Sequence, residues 1–315
     1  MCSMFNPLPG EGQADVTSPA AGPFSLKDDE SYAVWRSAKL AGYPRAAGEL
    51  RVPIRDLASP SPDELTALTT LCRRANMALY DSGPLGTDPV RTRPALRALA
   101  ATLNLRQIED HRSGAADGIV AIEVAGTGGR AGYIPYSNRP ISWHTDGYYN
   151  YHGPSRCVQA MVLHCVRDAA QGGVNGLLDH DIAYIRLRDR DPAFIEALMH
   201  PEAMTIPPGE EAHGRYRPDN TGPVFFIDPV RNALIMRYTA RKRNVSWRQD
   251  GTTRRALEAL EEILENDPLI ISYKMTPGEG IVCNNVLHNR SGFDNEGAPE
   301  GRLLYRVRYH DRLGS

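Results

Sequence analysis

The chain has 315 residues, 41% of them hydrophobic, with 36 Lys plus Arg against 38 Asp plus Glu and a formal net charge of −2. That size and apolar content can bury one large core or two smaller ones, which excludes a disordered chain. The near balance of charge gives no sign of a nucleic-acid or anionic-membrane partner and leaves a small molecule as the expected ligand. Cys2, Cys72, Cys157, Cys165 and Cys283 are an odd number without C-x-x-C spacing. They read as buried or free thiols of a reducing compartment, not as a disulfide framework. The segment Met1-Cys2-Ser3-Met4-Phe5-Asn6-Pro7 lacks a basic region followed by an apolar run, and no stretch nears the ~18 apolar residues of a membrane span, so a cytoplasmic location is expected.

Residues 1–25 are rich in Pro, Gly, Ser and Ala without a period and read as a flexible arm. A helix is expected from about Leu26, capped by Ser25 with Asp28 three residues on, and stopping at Gly42. Ser61-Pro62-Asp63-Glu64 is a capping box with proline at the first helical position, followed by Leu65, Leu68, Leu71, Cys72, Ala75 and Leu79 at helical spacing. A third helical stretch runs from about Ala95 to Ile108. Strand-like runs follow at 119–124 and 158–166, helical patterning at 194–199 and 256–264, then strand-like runs at 269–273, 281–283 and 303–309. With no internal repeat or linker, residues 26–315 read as a single α+β domain, a β-core with helices outside it.

Gly126-Thr127-Gly128-Gly129-Arg130-Ala131 comes close to a dinucleotide fingerprint. It leads into Gly132-Tyr133-Ile134-Pro135 rather than a helix, so no helix N-terminus is there to receive a pyrophosphate. It reads as a glycine loop, with a lid over the neighbouring site as the minority reading.

Chemistry concentrates in Ile141-Ser142-Trp143-His144-Thr145-Asp146-Gly147-Tyr148. On a strand, residues two apart share a face, so the His144 imidazole and the Asp146 carboxylate can converge on one cation. His288, beyond the Pro277-Gly278-Glu279-Gly280 turn and a short apolar run, is the third candidate if a return strand brings it alongside. Two histidines and one carboxylate on one face leave opposite positions open for O2 and a chelating co-substrate, although zinc accepts the same ligand types. Arg302 and Arg306, four apart in a strand-like run, share a face and can bind the far carboxylate of a chelating dicarboxylate; Arg308 lies on the same face.

Trp143-His144-Thr145-Asp146, Gly172-Gly173-Val174-Asn175, Asn284-Asn285-Val286-Leu287-His288-Asn289-Arg290 and the spaced Arg302 and Arg306 together resemble the taurine dioxygenase and 2,4-dichlorophenoxyacetate dioxygenase family of Fe(II)/2-oxoglutarate oxygenases, over roughly residues 118–310. The resemblance implies a distorted double-stranded β-helix, a jelly-roll relative of the cupins, with His144, Asp146 and His288 as iron ligands. It implies that Arg302 grips the distal carboxylate of 2-oxoglutarate, that Asn175 stands where the family has an assisting threonine, and that Arg306 serves either 2-oxoglutarate or the primary substrate. Asn284-Asn285 stands where the family often has Asp-Asn, leaving a carboxylate behind the ligands missing. Leu287-His288-Asn289-Arg290-Ser291-Gly292-Phe293 is also similar to the clavaminate synthase-like branch, which acts on amino-acid-like substrates. Asp146 argues for hydroxylation, because the halogenating relatives carry a small residue there.

Fe(II), 2-oxoglutarate and O2 are thus the expected cofactor and co-substrates, with succinate and CO2 released as a small anionic or amino-acid-like substrate is hydroxylated. Candidate substrate contacts are Tyr136, Asn138, Tyr148, Tyr149, Asn150 and Arg306, with Arg237-Tyr238-Thr239-Ala240-Arg241 as a further cationic segment. A zinc hydrolase and a non-catalytic ligand-binding barrel are the alternatives from other classes, and homo-oligomerisation stays open.

Overall fold

The computed structural model describes residues 19–110, 114–125, 133–210, 216–297 and 300–314. The glycine loop at 126–132 lies outside the described residues, as does most of the N-terminal arm. Of that arm residues 19–25 are described, and Phe24 already packs on Trp35 and Tyr184 with ring centroids 5.1 and 5.8 Å away.

Six α-helices are found among the described residues: α1 (Asp29–Gly42), α2 (Pro62–Ala75), α3 (Pro89–Thr102), α4 (His180–Arg190), α5 (Pro192–Met199) and α6 (Gly251–Asn266). The expected capping box opens α2: the Ser61 hydroxyl accepts from Glu64 N and the Glu64 carboxylate accepts from Ser61 N. Helix α1 starts later than the sequence suggested, because the Asp28 carboxylate, not Ser25, accepts from Ser31 N. Helix α3 starts and ends earlier than expected. Asp88 caps Val90 N and Arg91 N with Pro89 at the first position, and Asn104 turns left-handed at φ 61°. No helix among the described residues is long and apolar enough to cross a membrane.

The two larger sheets use ten strands, β1 (Arg51–Pro53), β2 (Met77–Asp81), β3 (Val120–Ile122), β4 (Ile141–His144), β5 (Ala160–Arg167), β6 (Asn175–Leu178), β7 (Ile271–Tyr273), β8 (Glu279–Cys283), β9 (Leu287–Arg290) and β10 (Leu303–Tyr309). The order is β1-β2-β8-β5-β10-β3 in one sheet and β7-β6-β9-β4 in the other; β1 and β2 pair in parallel and all other pairs are antiparallel. Alternation along β5 divides the interior. Met161, Leu163 and Cys165 join Leu177, Leu178 and Leu287 of the smaller sheet in one core, whereas Ala160, Val162 and Val166 face a second core built with α2 and α3. Helices α4, α5 and α6 pack on one another beside the first core. A buried ionic knot fastens α1 to α4, with Lys39 Nζ 2.6 Å from both Asp179 and Asp181 and Asn76 donating to the same two carboxylates.

His164 sits on the second-core face of β5. Its Nε2 lies 2.7 Å from Gly86 O, which can only accept, so Nδ1 is the acceptor and the Tyr80 hydroxyl donates to it at 3.0 Å. Burial pushes the His164 pKa down to about 4. A base whose folded pKa lies below its unfolded value of about 6.5 contributes stability fully above that value and loses it as the pH falls towards 4, by about 1.4 kcal/mol per pH unit. Replacing His164 with Gln should therefore flatten the acid limb of a urea-denaturation series between pH 6 and 4.5 by about one proton's slope. An unchanged slope would show that His164 is not held neutral in the fold.

Candidate active site

The core of the site is a strand pairing. In the β9–β4 ladder His288 is the direct partner of His144, which brings the imidazole centroids to 4.2 Å. Each ring is oriented the same way: His144 Nδ1 lies 2.9 Å from Ser142 O and His288 Nδ1 lies 2.9 Å from Val286 O. A carbonyl can only accept, so Nδ1 carries the proton on both rings and each Nε2 presents its lone pair. The Asp146 carboxylate enters the same space, with Oδ1 3.9 Å from His144 Nε2, and one ligand atom from each of the three residues lies within 4.8 Å of the others.

Burial, then the neighbouring His288, push the His144 pKa down to about 3, and burial lowers that of His288 as well. Burial opposes ionisation of Asp146, but Arg306 and Arg308 outweigh it and hold the carboxyl well below the usual carboxylate range. The set at neutral pH is therefore two neutral imidazoles and one carboxylate. Asp146 Oδ2 is buried without a hydrogen-bond partner, whereas Oδ1 receives Arg306 at 3.0 Å. A carboxylate with one buried oxygen free of partners, within 4.8 Å of two imidazoles that each present a lone pair, fits a divalent metal of the iron or zinc type. The other carboxylate-histidine cluster, Asp179, His180 and Asp181, differs in holding the Lys39 ammonium between its carboxylates, where a metal would have to sit.

The arginines separate into two groups. Arg306 contacts Asp146, and Arg308, left open by the sequence, ion-pairs with Glu109, lies 3.6 Å from Asp146 Oδ1 and donates to the Tyr149 hydroxyl at 3.2 Å. Arg302 is 5% exposed, lies over the Phe293 ring at 5.1 Å and has no carboxylate within ion-pair distance among the described residues; burial lowers its pKa to about 10. Arg290, also over the Phe293 ring at 4.7 Å, donates instead to Ser137 O at 2.8 Å and to Arg139 O, and burial lowers its pKa to about 10 too. Gly173 lies beside Arg302, a Cβ there being in ordinary contact with its Nε at 3.5 Å, and it is the backbone φ of +71° that favours glycine at this position. Asn175 pairs with Arg290 in the β6–β9 ladder, two residues from Leu177, the partner of His288, so its side chain is on the His288 face; its amide donates to Tyr273 O at 3.3 Å.

Among the expected substrate contacts, Tyr148 stands edge-on to His144 with centroids 6.4 Å apart, and Tyr149 packs on Tyr148 at 5.3 Å. Tyr136 is buried in the first core, Asn138 is exposed, and Asn150 Oδ1 is bonded to His152 at 2.8 Å. Glu109 and Asn285 were not singled out as site residues. Glu109 gives no periodic signal. Asn285 Oδ1 accepts from Asp146 N at 2.7 Å while Nδ2 donates to Asp146 O at 2.9 Å and Val158 O at 2.8 Å, so an amide, not a carboxylate, supports the Asp146 backbone. Asn284 is turned away, bonding Asn76 and Leu313.

Two histidines and one carboxylate converging in a mixed helix-and-sheet frame are a ligand set that suits the open metal sites of non-haem Fe(II) oxygenases. The chain belongs to the TauD/TfdA family of taurine catabolism dioxygenases, which it matches over residues 46–308. It is similar to a uridine-5'-phosphate dioxygenase of an Amycolatopsis species, at 30% identity over 178 residues, 53% of this chain; the match spans 60% of that relative. Its fold is similar to that of an asparagine oxygenase in complex with Fe(II), 3-hydroxyasparagine and succinate (14% identity, TM-score 0.56, covering 84% of this chain and 94% of that one). It is also similar to that of the iron oxygenase OrfP with Fe, succinate and (3S)-hydroxy-L-Arg (19%, 0.57, 80% and 81%) and of PvcB from Pseudomonas aeruginosa (16%, 0.52, 79% and 82%).

Replacing Asn285 with Ala removes hydrogen bonds that set the Asp146 backbone. It should weaken Fe(II) binding about 10–100-fold in an anaerobic titration, the usual effect of losing a group that orients a ligand. It should also cost about 1–3 kcal/mol of folding stability, as buried groups left unpaired do. Unchanged Fe(II) affinity in a folded variant would remove Asn285 from the site.

Proposed function

We propose that this 2-oxoglutarate-dependent dioxygenase hydroxylates a small substrate carrying an anionic group, with His144, Asp146 and His288 holding Fe(II) and Arg302 holding the distal carboxylate of 2-oxoglutarate. The observation that carries the reading is the cross-strand pair of imidazoles, both presenting Nε2, beside an Asp146 oxygen that has no other partner. Bound iron supplies O2 activation coupled to decarboxylation of 2-oxoglutarate to succinate and CO2. The protein's part is placement. Ser142 O and Val286 O keep the imidazoles in one tautomer, Arg306 and Arg308 keep Asp146 ionised, and Arg302 offers an unpaired fork suited to a carboxylate. Contact with Asp146 favours a ligand-orienting role for Arg306 over a direct grip on 2-oxoglutarate, and the side chain of Asn175 on the His288 face supports an assisting role for it.

Two largely antiparallel sheets sharing one core, and the likeness to oxygenases of known structure, support reading residues 26–315 as one distorted double-stranded β-helix domain with flanking helices. Free, buried Cys72, Cys157, Cys165 and Cys283 support a cytoplasmic location. A substrate that carries an anionic group is supported by the relatives: one is named for a nucleoside phosphate, and two others are bound to hydroxylated amino acids, each with a carboxylate.

Iron-loaded protein should convert 2-oxoglutarate to succinate slowly without substrate, and only with O2. Asp146→Ala should lower this rate by more than about 100-fold, beyond what residues behind the ligands contribute. Turnover persisting in Asp146→Ala would overturn the ligand assignment. Failure of the iron-loaded wild type to form succinate, with a zinc-loaded form hydrolysing a substrate, would overturn the dioxygenase reading.

A further inference from the structure

A cleft of about 700 Å³ lies between residues 238–249 and α6. Its inner wall is attached to the metal-ligand strand. Thr239 is bridged to His144, Ala240 N donates to Trp143 O at 2.8 Å, and Thr145 N donates to Tyr238 O at 3.0 Å. Thr239, the bridged residue, and Arg241, two residues on, both line the cleft.

We infer that this cleft binds the primary substrate and that the substrate is a nucleoside monophosphate, its phosphate held by Arg241. The reaction rests on the function proposed above; the binding does not. Arg241 is half-buried yet has no ion pair or side-chain hydrogen bond among the described residues. Other arginines of the region do have partners: Arg237 donates to the carbonyls of Tyr148, Met204, Gly222 and Asn220, Arg306 pairs with Asp146 and Arg308 with Glu109. A guanidinium fork held open beside a reaction centre suits a phosphate or carboxylate. Lys242, Arg248 and Arg254 line the same cleft, Arg248 being partly neutralised by Asp250 at 3.4 Å.

Size separates a nucleotide from a free amino acid. The helical wall runs from Gly251 to Glu261, about 15 Å at 1.5 Å per residue, and the volume falls in the range of about 300–1,000 Å³ usual for larger organic ligands. The lining is chemically divided as well. Trp247, half-buried and tilted against Tyr238 at 6.0 Å, offers a flat surface for a heteroaromatic base, and Glu258 and Glu261 on α6 can accept from ribose hydroxyls and base N–H groups. The Amycolatopsis relative is named for a substrate of this class.

The test is calorimetric binding of uridine 5'-monophosphate and of uridine to the full chain, loaded with Fe(II) and 2-oxoglutarate without O2. The wild type should bind the nucleotide at least about 10-fold more tightly than the nucleoside, and Arg241→Ala should abolish most of that ratio, as loss of a charge-assisted hydrogen bond does. Arg241→Lys should keep part of it, and Trp247→Ala should weaken both ligands alike. Equal wild-type affinities, an unchanged ratio in Arg241→Ala, or tight binding of asparagine or arginine in place of the nucleotide would overturn the proposal. If Arg241→Ala does not fold, competition by inorganic phosphate in the wild type decides: displacement of the nucleotide but not of uridine supports it, and no displacement overturns it. Succinate formation is followed on the same protein, so its absence with nucleotide binding intact counts against the reaction alone.

Discussion

The site depends on one antiparallel pairing. β9 lies between β6 and β4, and its register puts His288 opposite His144; a slip of one residue would send the His288 side chain to the other face. The register is held by burial on the same ladder, since Leu287 is fully buried and pairs with Leu178, also fully buried. The register also shifts between His288 and Arg290 on the β4 side, so the ladder is regular at the histidine and irregular just beyond it. Irregularity there lets Arg290 reach the carbonyls of Ser137 and Arg139 in the loop that leads into β4. The histidine pair and the approach to it are thus fastened by neighbouring residues of one strand.

Electrostatics supplies the second constraint. A buried carboxylate is costly unless paired, and Asp146 is paired on one oxygen only. Arg306 and Arg308 reach it from alternate positions of β10, and Glu109 takes up the remaining charge of Arg308, so Asp146, Glu109 and the two guanidiniums are neutral as a set. Neutrality without protonation is what a metal ligand needs. It leaves Asp146 ionised in the apo protein and Oδ2 free to take a cation without displacing a proton.

Much of this was legible in residue order, and the part that was not has a common cause. The run Arg306, Arg308 follows from the period of two along a strand and α2 from a local cap, so spacing within one element was enough; Asp146 differs, because β4 ends at His144 and Asp146 stands in the turn after it rather than on the same strand face. Which strands lie side by side is not local information. His288 was identifiable as a candidate, yet its register against His144 comes only from the sheet, and the partners Glu109 and Asn285 arrive from segments that carry no pattern of their own. Helix α4 was missed for another reason: His180 to Ile185, Leu187 and Arg188 are all buried, and a helix enclosed on every side has no polar stripe to reveal its period.

The same limit explains why the cationic segment 237–241 could not be read from its sequence. Arg237 and Arg241 are of one residue type and one strand parity, and pattern alone gives them the same role. Packing separates them. Arg237 is enclosed by carbonyl oxygens of Tyr148, Met204, Gly222 and Asn220, which ties the short strands of the central insert to the segment after the metal ligands. Its charge is satisfied by dipoles, and burial lowers its pKa to about 10. Four residues on, Arg241 has no ion pair or side-chain hydrogen bond among the described residues. A guanidinium is structural where backbone carbonyls converge on it, and that difference is a property of the surrounding chain, not of the residue.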